Sequence, residues 1–268
     1  MTKKSIIISS ILLSILALIV ILFGAVFRLR QIDVEIAVSQ PEAFAITKED
    51  ILTASKLKCG GSIFMVDKQT AIDNIEKTYT EIKVTQIKTE SVVKIKICVR
   101  ERKEMFYAEY NNTYYCLDED LKVMRKTEIE PTSLIKIKTD IGINSNTNER
   151  DFLSKTYADM TYKLFVAMYT NVKVGARYAE RADICNLVEW VNFEQAYELT
   201  NEGNSAVKYT KLVLKTRAGI VMEIACPETN TGVKINKCFS AYNNANIDNT
   251  HGKIVLKYDG SFVYLPND

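Results

Sequence analysis

Residues that could support catalysis are few in this chain of 268 residues. The single histidine, His251, lies in the turn-like stretch Asn-Thr-His-Gly-Lys, where a lone histidine is more often solvated than catalytic. A hydrolase needs a nucleophile beside a base, but no G-x-S-x-G sequence occurs and no S-x-x-K precedes a plausible partner motif. The acidic pairs Glu101/Glu104 and Asp118/Asp120 fall at the ends of predicted strands, where surface solvation explains them. The sequence therefore predicts no enzyme.

Cysteines and glycines are the other residues with possible chemistry, and neither group forms a recognisable site. No two cysteines have C-x-x-C spacing and only one histidine is present, so no zinc site is predicted. An even number of cysteines in an exported domain permits disulfides, and six buried or half-buried thiols are the alternative. The glycines in Cys-Gly-Gly-Ser-Ile-Phe have no following Lys-Ser/Thr, so they predict a tight turn and not a phosphate cradle. No metal or cofactor is expected. The six cysteines are Cys59, Cys98, Cys116, Cys185, Cys226 and Cys238.

The N-terminal part of the chain differs from the rest. Residues 6–27 carry no charge and, at about 1.5 Å per residue, are long enough to cross the roughly 30 Å apolar core of a bilayer. We expect an uncleaved transmembrane helix; a cleaved signal peptide is the alternative, although its apolar core is usually about 7–15 residues. Two lysines favour a cytoplasmic location for residues 1–5, while Arg28 and Arg30 on the far flank oppose it. The chain after residue 27 would then be extracytoplasmic.

Composition after this segment is that of a neutral globular protein. The chain is 47% apolar and 25% charged, which excludes a largely disordered class. Without the two lysines that precede the apolar run, 33 basic and 33 acidic residues remain. A neutral balance does not favour nucleic acid or an anionic surface as the main partner.

Alternation and capping residues predict a compact first domain. Residues 31–38 alternate between apolar and polar side chains, as in a half-buried strand. Thr47 opens a helix with a capping box, and Asp67 caps a second helix. Two strands follow, at 81–89 with a bulge near Thr85, and at 92–101. The order β-α-α-β-β predicts two helices packed on one face of a three-stranded sheet.

The remainder of the chain predicts a second α+β domain, a mixed sheet with a covering helix. Short strands alternate with turns from residue 105 to residue 139, and a hairpin is expected at 207–226. A long helix at 149–169, two strands within 183–199 and a helix at 229–244 complete the prediction. Asp259-Gly260 between apolar runs then predicts a closing hairpin.

Several motifs in combination resemble one family. The first domain is similar to a POTRA domain, and the layout resembles the cell-division proteins FtsQ and DivIB. Residues 28–102 would be the POTRA domain and 103–268 the C-terminal β domain; the stretch 130–205 does not align. Glu104 and Asp120 stand where the family often has proline and glycine. The motifs that carry the resemblance are IDVEIAV, TKEDILTASKLKCGGSIFMVDKQTAIDNIEK, VVKIKICVRER, YYCLDEDLKVM, LVLKTRAGIVMEIA and IVLKYDGSFVYLP.

The resemblance implies a bitopic membrane scaffold of the division machinery that has no catalysis of its own. Its implied partners are small coiled-coil division proteins similar to FtsL and to FtsB/DivIC, and the complex would help control septal peptidoglycan synthesis. The implied location is the cell membrane at the division septum. The alternative is a POTRA-containing export or assembly factor that binds extended polypeptide segments, which the N-terminal apolar segment makes less favourable.

The closing hairpin is the predicted partner-binding site. A two-residue Asp-Gly turn would place Leu256 opposite Val263 and Lys257 opposite Phe262. Phe262 and Tyr264 would then lie on the outer, solvent-facing side of the sheet, as an apolar patch for a partner strand. Packing of both aromatics against a neighbouring loop from the unaligned region 130–205 is the alternative. The resemblance adds three further residues to the predicted site, Tyr258, Gly260 and Ser261.

Overall fold

The computed structural model describes residues 3–21, 26–38, 44–153, 155–199, 206–244, 248 and 250–266. The chain divides into two compact units, Met1–Arg102 and Lys103–Asp268. Each unit has its own buried apolar cluster.

A three-stranded sheet and two helices form the globular part of the first unit. The central strand β3 pairs in parallel with β1 and antiparallel with β2, so the sheet order is β1-β3-β2. This β-α-α-β-β arrangement confirms the predicted order of elements. The elements of the unit are α1 (Lys3–Ile21), β1 (Gln31–Ala37), α2 (Lys48–Ser55), a 3₁₀ turn (Ile63–Met65), α3 (Lys68–Thr78), β2 (Ile82–Ser91) and β3 (Lys94–Glu101).

Local sequence signals account for the helix starts in this unit. The Thr47 hydroxyl accepts a hydrogen bond from the Asp50 N–H, and the Asp50 carboxylate accepts one from the Thr47 N–H, as in a capping box. Asp67 accepts from the Thr70 N–H in the same way at the start of α3. The register of β2 slips near Thr85, where the bulge was expected. The resulting core contains fully buried isoleucines from both helices and both main strands, namely Ile51, Ile75, Ile82, Ile95 and Ile97.

Helix α1 covers most of the apolar run. The transmembrane segment expected at 6–27 includes residues 22–25, which lie outside the described residues. Within the described part of the chain, no helix combines the length and the apolarity that a membrane span requires.

A nine-stranded mixed sheet forms the second unit. Its order is β14-β13-β12-β11-β10-β7-β4-β5-β6, with three helices on one face. The elements are β4 (Phe106–Tyr110), β5 (Thr113–Leu117), β6 (Val123–Thr127), β7 (Ile135–Ile137), α4 (Lys155–Asn171), β8 (Lys173–Val174), β9 (Arg177–Tyr178), α5 (Arg181–Leu187), β10 (Val188–Leu199), β11 (Ala206–Thr216), β12 (Val221–Ala225), α6 (Thr231–Tyr242), β13 (Lys253–Leu256) and β14 (Phe262–Leu265). Strands β8 and β9 form a separate two-stranded ribbon.

The two faces of this sheet differ in character. One face joins α4, α5 and α6 in a single apolar cluster, so the sheet is covered by both predicted helices and by α5, where strand was expected. The other face carries cross-strand ion pairs: Lys211 lies 3.3 Å from Glu194 and 3.5 Å from Glu223, and Lys253 lies 2.6 Å from Glu223. This second face is therefore polar at β10–β13, whereas at β4 and β5 it carries a small buried cluster of Tyr107, Cys116 and Leu134.

Two predicted elements of the unaligned region are wrong. Residues 183–199 form the end of α5 and a single long strand, because the Asp183 carboxylate accepts the Glu180 N–H and starts a helix at Arg181. Helix α4 begins at Lys155 and not at residue 149, because residues 149–153 lie along the edge of β6.

Candidate partner-binding edge

The nine-stranded sheet has two edge strands, β6 and β14, and they differ in what lies beside them. Beyond β6 lies the chain's own loop: the Val123 N–H donates to the Asp151 carbonyl at 2.9 Å and the Arg150 N–H donates to the Val123 carbonyl at 2.8 Å. Lys122 and Phe152 complete an antiparallel bridge there. At the opposite edge, no strand of the described residues lies beyond β14. The last strand is thus an open edge, which is the position that strand addition requires.

A three-residue loop closes the final hairpin, and the predicted two-residue turn is wrong. The Gly260 N–H donates to the Lys257 carbonyl at 3.0 Å, and the Lys257 N–H donates to the Ser261 carbonyl at 2.9 Å. Gly260 has φ +79°, which is the left-handed conformation that this type of bulged loop requires. Leu256 is consequently paired with Phe262 and not with Val263.

Asp259 stabilises this loop through its side chain. Its Oδ1 accepts the Ser261 N–H at 2.8 Å. Hydrogen bonds from the hydroxyl and the backbone of Ser261 keep the pKa of Asp259 below its ordinary value. The carboxylate therefore acts as a turn-forming group in its ionised state.

This shift in register moves both aromatic side chains to the opposite face from the one predicted. Paired residues share a face, so Phe262 and Tyr264 lie on the side of buried Leu256 and Ile254. Tyr264 is half-buried against the core cluster, and its hydroxyl donates to the His251 carbonyl at 3.1 Å. Tyr264 is therefore packed within the unit and is not part of an exposed patch, although the hydroxyl contact is with His251 and not with the unaligned region. Phe262, by contrast, remains 40% exposed at the edge of the sheet.

The same register decides which backbone groups face outward. Paired residues in an antiparallel ladder alternate between hydrogen-bonded and non-hydrogen-bonded pairs. Since Lys257 and Ser261 share a hydrogen bond, the pair Val255/Val263 is bonded and the pairs that contain Phe262 and Tyr264 are not. The N–H and C=O groups of Phe262 and Tyr264 therefore point away from β13, toward the open edge.

Exposed side chains flank this edge on both faces. Phe262 projects on the helix-covered face, and Leu265, which is 48% exposed, projects on the polar face. Tyr258 in the loop is 50% exposed, and its ring centroid lies 5.4 Å from that of Tyr209 on β11. Gly260 and Ser261 are also exposed. The structure thus brings all five predicted site residues to one hairpin, although it changes the role of Tyr264.

Two residues that the sequence analysis considered for catalysis are His251 and Asp118, and each has hydrogen bonds to its own loop or turn. His251 has a side chain that is 72% exposed, and its Nδ1 lies 2.6 Å from the Thr250 hydroxyl. Asp118 is fully buried, contrary to the surface position predicted, because its Oδ1 accepts the N–H groups of Asp120 and Lys122 and so forms the turn between β5 and β6.

The six cysteines are free thiols in this structure. Cys59 is exposed, whereas Cys116, Cys185 and Cys238 are buried. Burial raises the pKa of the Cys116 thiol to about 11 and that of Cys238 to about 12. Thiols with such pKa values are almost fully protonated at neutral pH and are poor nucleophiles.

Comparison with known proteins identifies the first unit. Residues 33–102 match the family described as POTRA domain, FtsQ-type. Two proteins named cell division protein DivIB, from Clostridium botulinum strains Hall and Loch Maree, are 28% and 27% identical over 160 residues. Each alignment covers 48% of this chain and 61% of the relative, so the match spans about three fifths of the relatives' length.

One solved structure is similar to part of this chain. The major extracytoplasmic domain of DivIB from Geobacillus stearothermophilus aligns with 55% of this chain and 98% of its own length. The identity is 13% and the TM-score is 0.29.

The β-α-α-β-β unit and its family match define a POTRA-domain protein. The POTRA type and the two curated relatives agree with the motifs of the sequence. The family match of residues 33–102 and the two relatives support the resemblance to the FtsQ/DivIB cell-division proteins that the motifs predicted.

Proposed function

We propose that this chain is a scaffold of the cell-division machinery that binds a partner by adding one of the partner's strands to β14. The division role is supported by the relatives named cell division protein DivIB. The proposed partners are small bitopic division proteins similar to FtsL and FtsB/DivIC, through which the chain would help control septal peptidoglycan synthesis. Attachment to the membrane through residues 6–27, with the rest of the chain outside the cytoplasm, is part of the proposal.

One observation carries the binding mode: β14 is an open edge with outward-facing backbone groups. Phe262 and Tyr264 each offer one donor and one acceptor to an added strand. Pro266, the next residue in the outward-facing series, has no N–H and ends the row of donors. A partner strand would therefore be short, and its register would be set within these few residues.

Side chains must supply much of the affinity. Each backbone hydrogen bond contributes only about 0.5–1.5 kcal/mol net, so two paired residues give a few kcal/mol at most. An added strand alternates its side chains between the two faces of the sheet. It would meet Phe262 on one face and Leu265 on the other, and both are apolar and exposed. We therefore expect apolar residues on both faces of the partner strand.

A proline substitution separates the backbone contribution from the side-chain contribution. In Phe262→Pro the outward N–H is removed, while the hydrogen bonds between β13 and β14 remain, because edge positions with an outward N–H tolerate proline. Phe262→Ala removes the same ring but keeps the N–H, so it is the matched control. Ile129→Ala, at a residue that is 81% exposed elsewhere in the unit, controls for loss of surface apolar area.

The measurement is co-purification of the FtsL-like and FtsB/DivIC-like proteins from solubilised membranes. We expect Ile129→Ala to be neutral, Phe262→Ala to weaken recovery of the partners and Phe262→Pro to weaken it several-fold more. Equal recovery with the alanine and proline variants, at equal thermal stability, would rule out strand addition at β14. Separately, a fluorescent fusion should gather at midcell before constriction, and diffuse membrane fluorescence in dividing cells would contradict the division role.

A further inference from the structure

The exposed large apolar side chains of the POTRA unit gather at one end of it. After α1, and within the described residues of this unit, they belong to Val26, Phe64, Met65 and Val92, which are 42%, 65%, 83% and 51% exposed. The other large apolar side chains that the structure describes after α1 in this unit are buried wholly or in part. A clustered apolar surface on an otherwise ordinary domain marks a contact with something apolar.

Backbone hydrogen bonds hold these residues beside the point where the chain leaves the apolar run. The Leu29 N–H donates to the Gly61 carbonyl, and the Ile63 N–H donates to the Phe27 carbonyl, both at 2.9 Å. The rings of Phe27 and Phe64 lie 5.1 Å apart. The loop 60–65 is thus tied directly to residues 27–29.

The turn between β2 and β3 lies at the same end of the sheet. The Arg30 N–H donates to the Val93 carbonyl at 2.8 Å, and Gln31 at the start of β1 pairs with Lys94 at the start of β3. Since β1 and β3 run in parallel, both strands begin here, and exposed Val92 lies next to this start. Three separate segments therefore contribute to one surface.

The three segments of this surface carry charge of one sign, and the adjacent Glu90 is paired with Lys94 and Lys96. Residues 26–30, 56–65 and 91–93 include no acidic residue. Their four basic residues, Arg28, Arg30, Lys56 and Lys58, are all exposed. Exposed apolar side chains surrounded by basic ones are typical of segments that lie at the interface of an anionic bilayer, where the apolar groups enter the headgroup boundary and the cations contact phosphate.

We infer that this end of the POTRA unit rests on the membrane, with Phe64 and Met65 inserted in the interface of an anionic bilayer. The inference depends on the proposed attachment through residues 6–27, because that segment brings residue 27 to the bilayer surface. The short connection from Phe27 to the loop 60–65 then keeps the loop at the lipid interface. The unit would be held against the membrane by a second contact in addition to its tether.

The exposed thiol of Cys59 allows a direct test. The full-length chain is reconstituted into vesicles of phosphatidylcholine with phosphatidylglycerol, and Cys59 carries an environment-sensitive fluorophore that aqueous dithionite reduces. Cys59→Ser measures labelling at other cysteines. Lys77→Cys in that background places the label on the last turn of α3, near the opposite end of the sheet, where Ile82 pairs with Glu101.

We expect the label at residue 59 to show blue-shifted emission and several-fold slower reduction in vesicles than the label at residue 77. Phe64→Glu with Met65→Glu should abolish this difference, whereas Phe64→Leu with Met65→Leu should preserve it. Vesicles of phosphatidylcholine alone should give a smaller difference. Flotation of each variant with the vesicles reports attachment separately from the position of the loop.

Two results would overturn the inference, and flotation tells them apart. If the chain floats with the vesicles but residues 59 and 77 are reduced at equal rates, the loop does not touch the membrane and attachment through 6–27 stands. If the unmodified chain does not float, the attachment itself fails and the loop contact fails with it. Unchanged thermal unfolding of the glutamate variant shows that its effect is not due to misfolding, since both side chains are exposed.

Discussion

Removing the buried arginine of the POTRA unit should destabilise that unit strongly. Arg102 has a side chain that is 1% exposed, and its guanidinium lies 2.6 Å from Glu76, whose side chain is 16% exposed. The Arg102 Nε–H also donates to the Ile82 carbonyl at 2.9 Å, and Glu76 accepts the Val84 N–H at 2.8 Å. Together these contacts join α3 to the strand β2.

The expected loss in the free energy of unfolding depends on how well Glu76 is stabilised once Arg102→Leu has removed its ion-pair partner. Breaking a buried ion pair by removing one partner costs roughly 3–5 kcal/mol. Because Glu76 retains the Val84 N–H and partial access to water, we expect the lower end, about 3 kcal/mol in the free energy of unfolding. For a domain of 60–100 residues this lowers Tm by roughly 12–24 °C, at about 4–8 °C per kcal/mol.

Circular dichroism measures the fall in Tm of Arg102→Leu. Hydrogen exchange of the β2 and β3 amides shows whether the loss of stability lies in the POTRA unit. Trp190, the only tryptophan, lies in the second unit, and its fluorescence reports that unit separately. Glu35→Gln breaks the exposed pair with Lys96 and should leave the unfolding temperature nearly unchanged, because exposed ion pairs are screened by water. Glu76→Leu combined with Arg102→Leu should recover most of the loss, because no unpaired charge remains. A single variant as stable as Glu35→Gln, or a double variant no better than the single one, would refute this reasoning.

Two further predictions concern the second unit and the cysteines. Gly219→Ala should destabilise the unit by more than about 1–2 kcal/mol in urea unfolding, because Gly219 has φ +119° and an added Cβ would lie 2.2 Å from the Thr250 carbonyl oxygen. Gly175→Ala is the control, because Gly175 also has a positive φ, +64°, but has open space where a Cβ would be added. Equal losses of stability in the two variants would contradict the steric argument. Alkylation at pH 7 without reductant should modify the exposed Cys59 first. Cys238 should stay unmodified until the protein unfolds, because its thiol is buried and has a pKa of about 12. Six alkylated cysteines in denaturant would confirm that no disulfide is present, and fewer would contradict the free thiols seen here.

Local signals in the sequence were sufficient for the POTRA unit. Thr47 and Asp67 cap the helices where the side-chain pattern predicts, and the bulge in β2 lies near Thr85. These features depend on residues three or four positions apart, so a single sequence contains them.

The failures in the second unit have a different origin. The apolar pattern of residues 183–187 is too short to separate strand from helix, and the hydrogen bond between Asp183 and the Glu180 N–H decides for helix. In the last hairpin, Asp259-Gly260 fits both a two-residue turn and a three-residue loop. The choice between them changes the register by one residue and moves Phe262 and Tyr264 to the other face.

The position of β14 could be expected, but its status as an edge could not be worked out from local pattern alone. Edge position depends on strand order, which here joins β12 and β13 in parallel across α6 and places β7 between β10 and β4. The covering of β6 by residues 149–153 was likewise missed, since these residues read as the start of a helix.

The covered β6 edge limits the number of strands that the sheet can accept. Among the described residues the loop 149–153 pairs with the start of β6, whereas no segment pairs with β14 on its outer side, so strand addition at β14 would give one added strand per chain. Two copies that met edge to edge would use the outward groups of Phe262 and Tyr264 on both sides. Self-association of this kind and capture of a partner strand are therefore mutually exclusive, and a rise in the concentration of this chain would lower the fraction available to its partner.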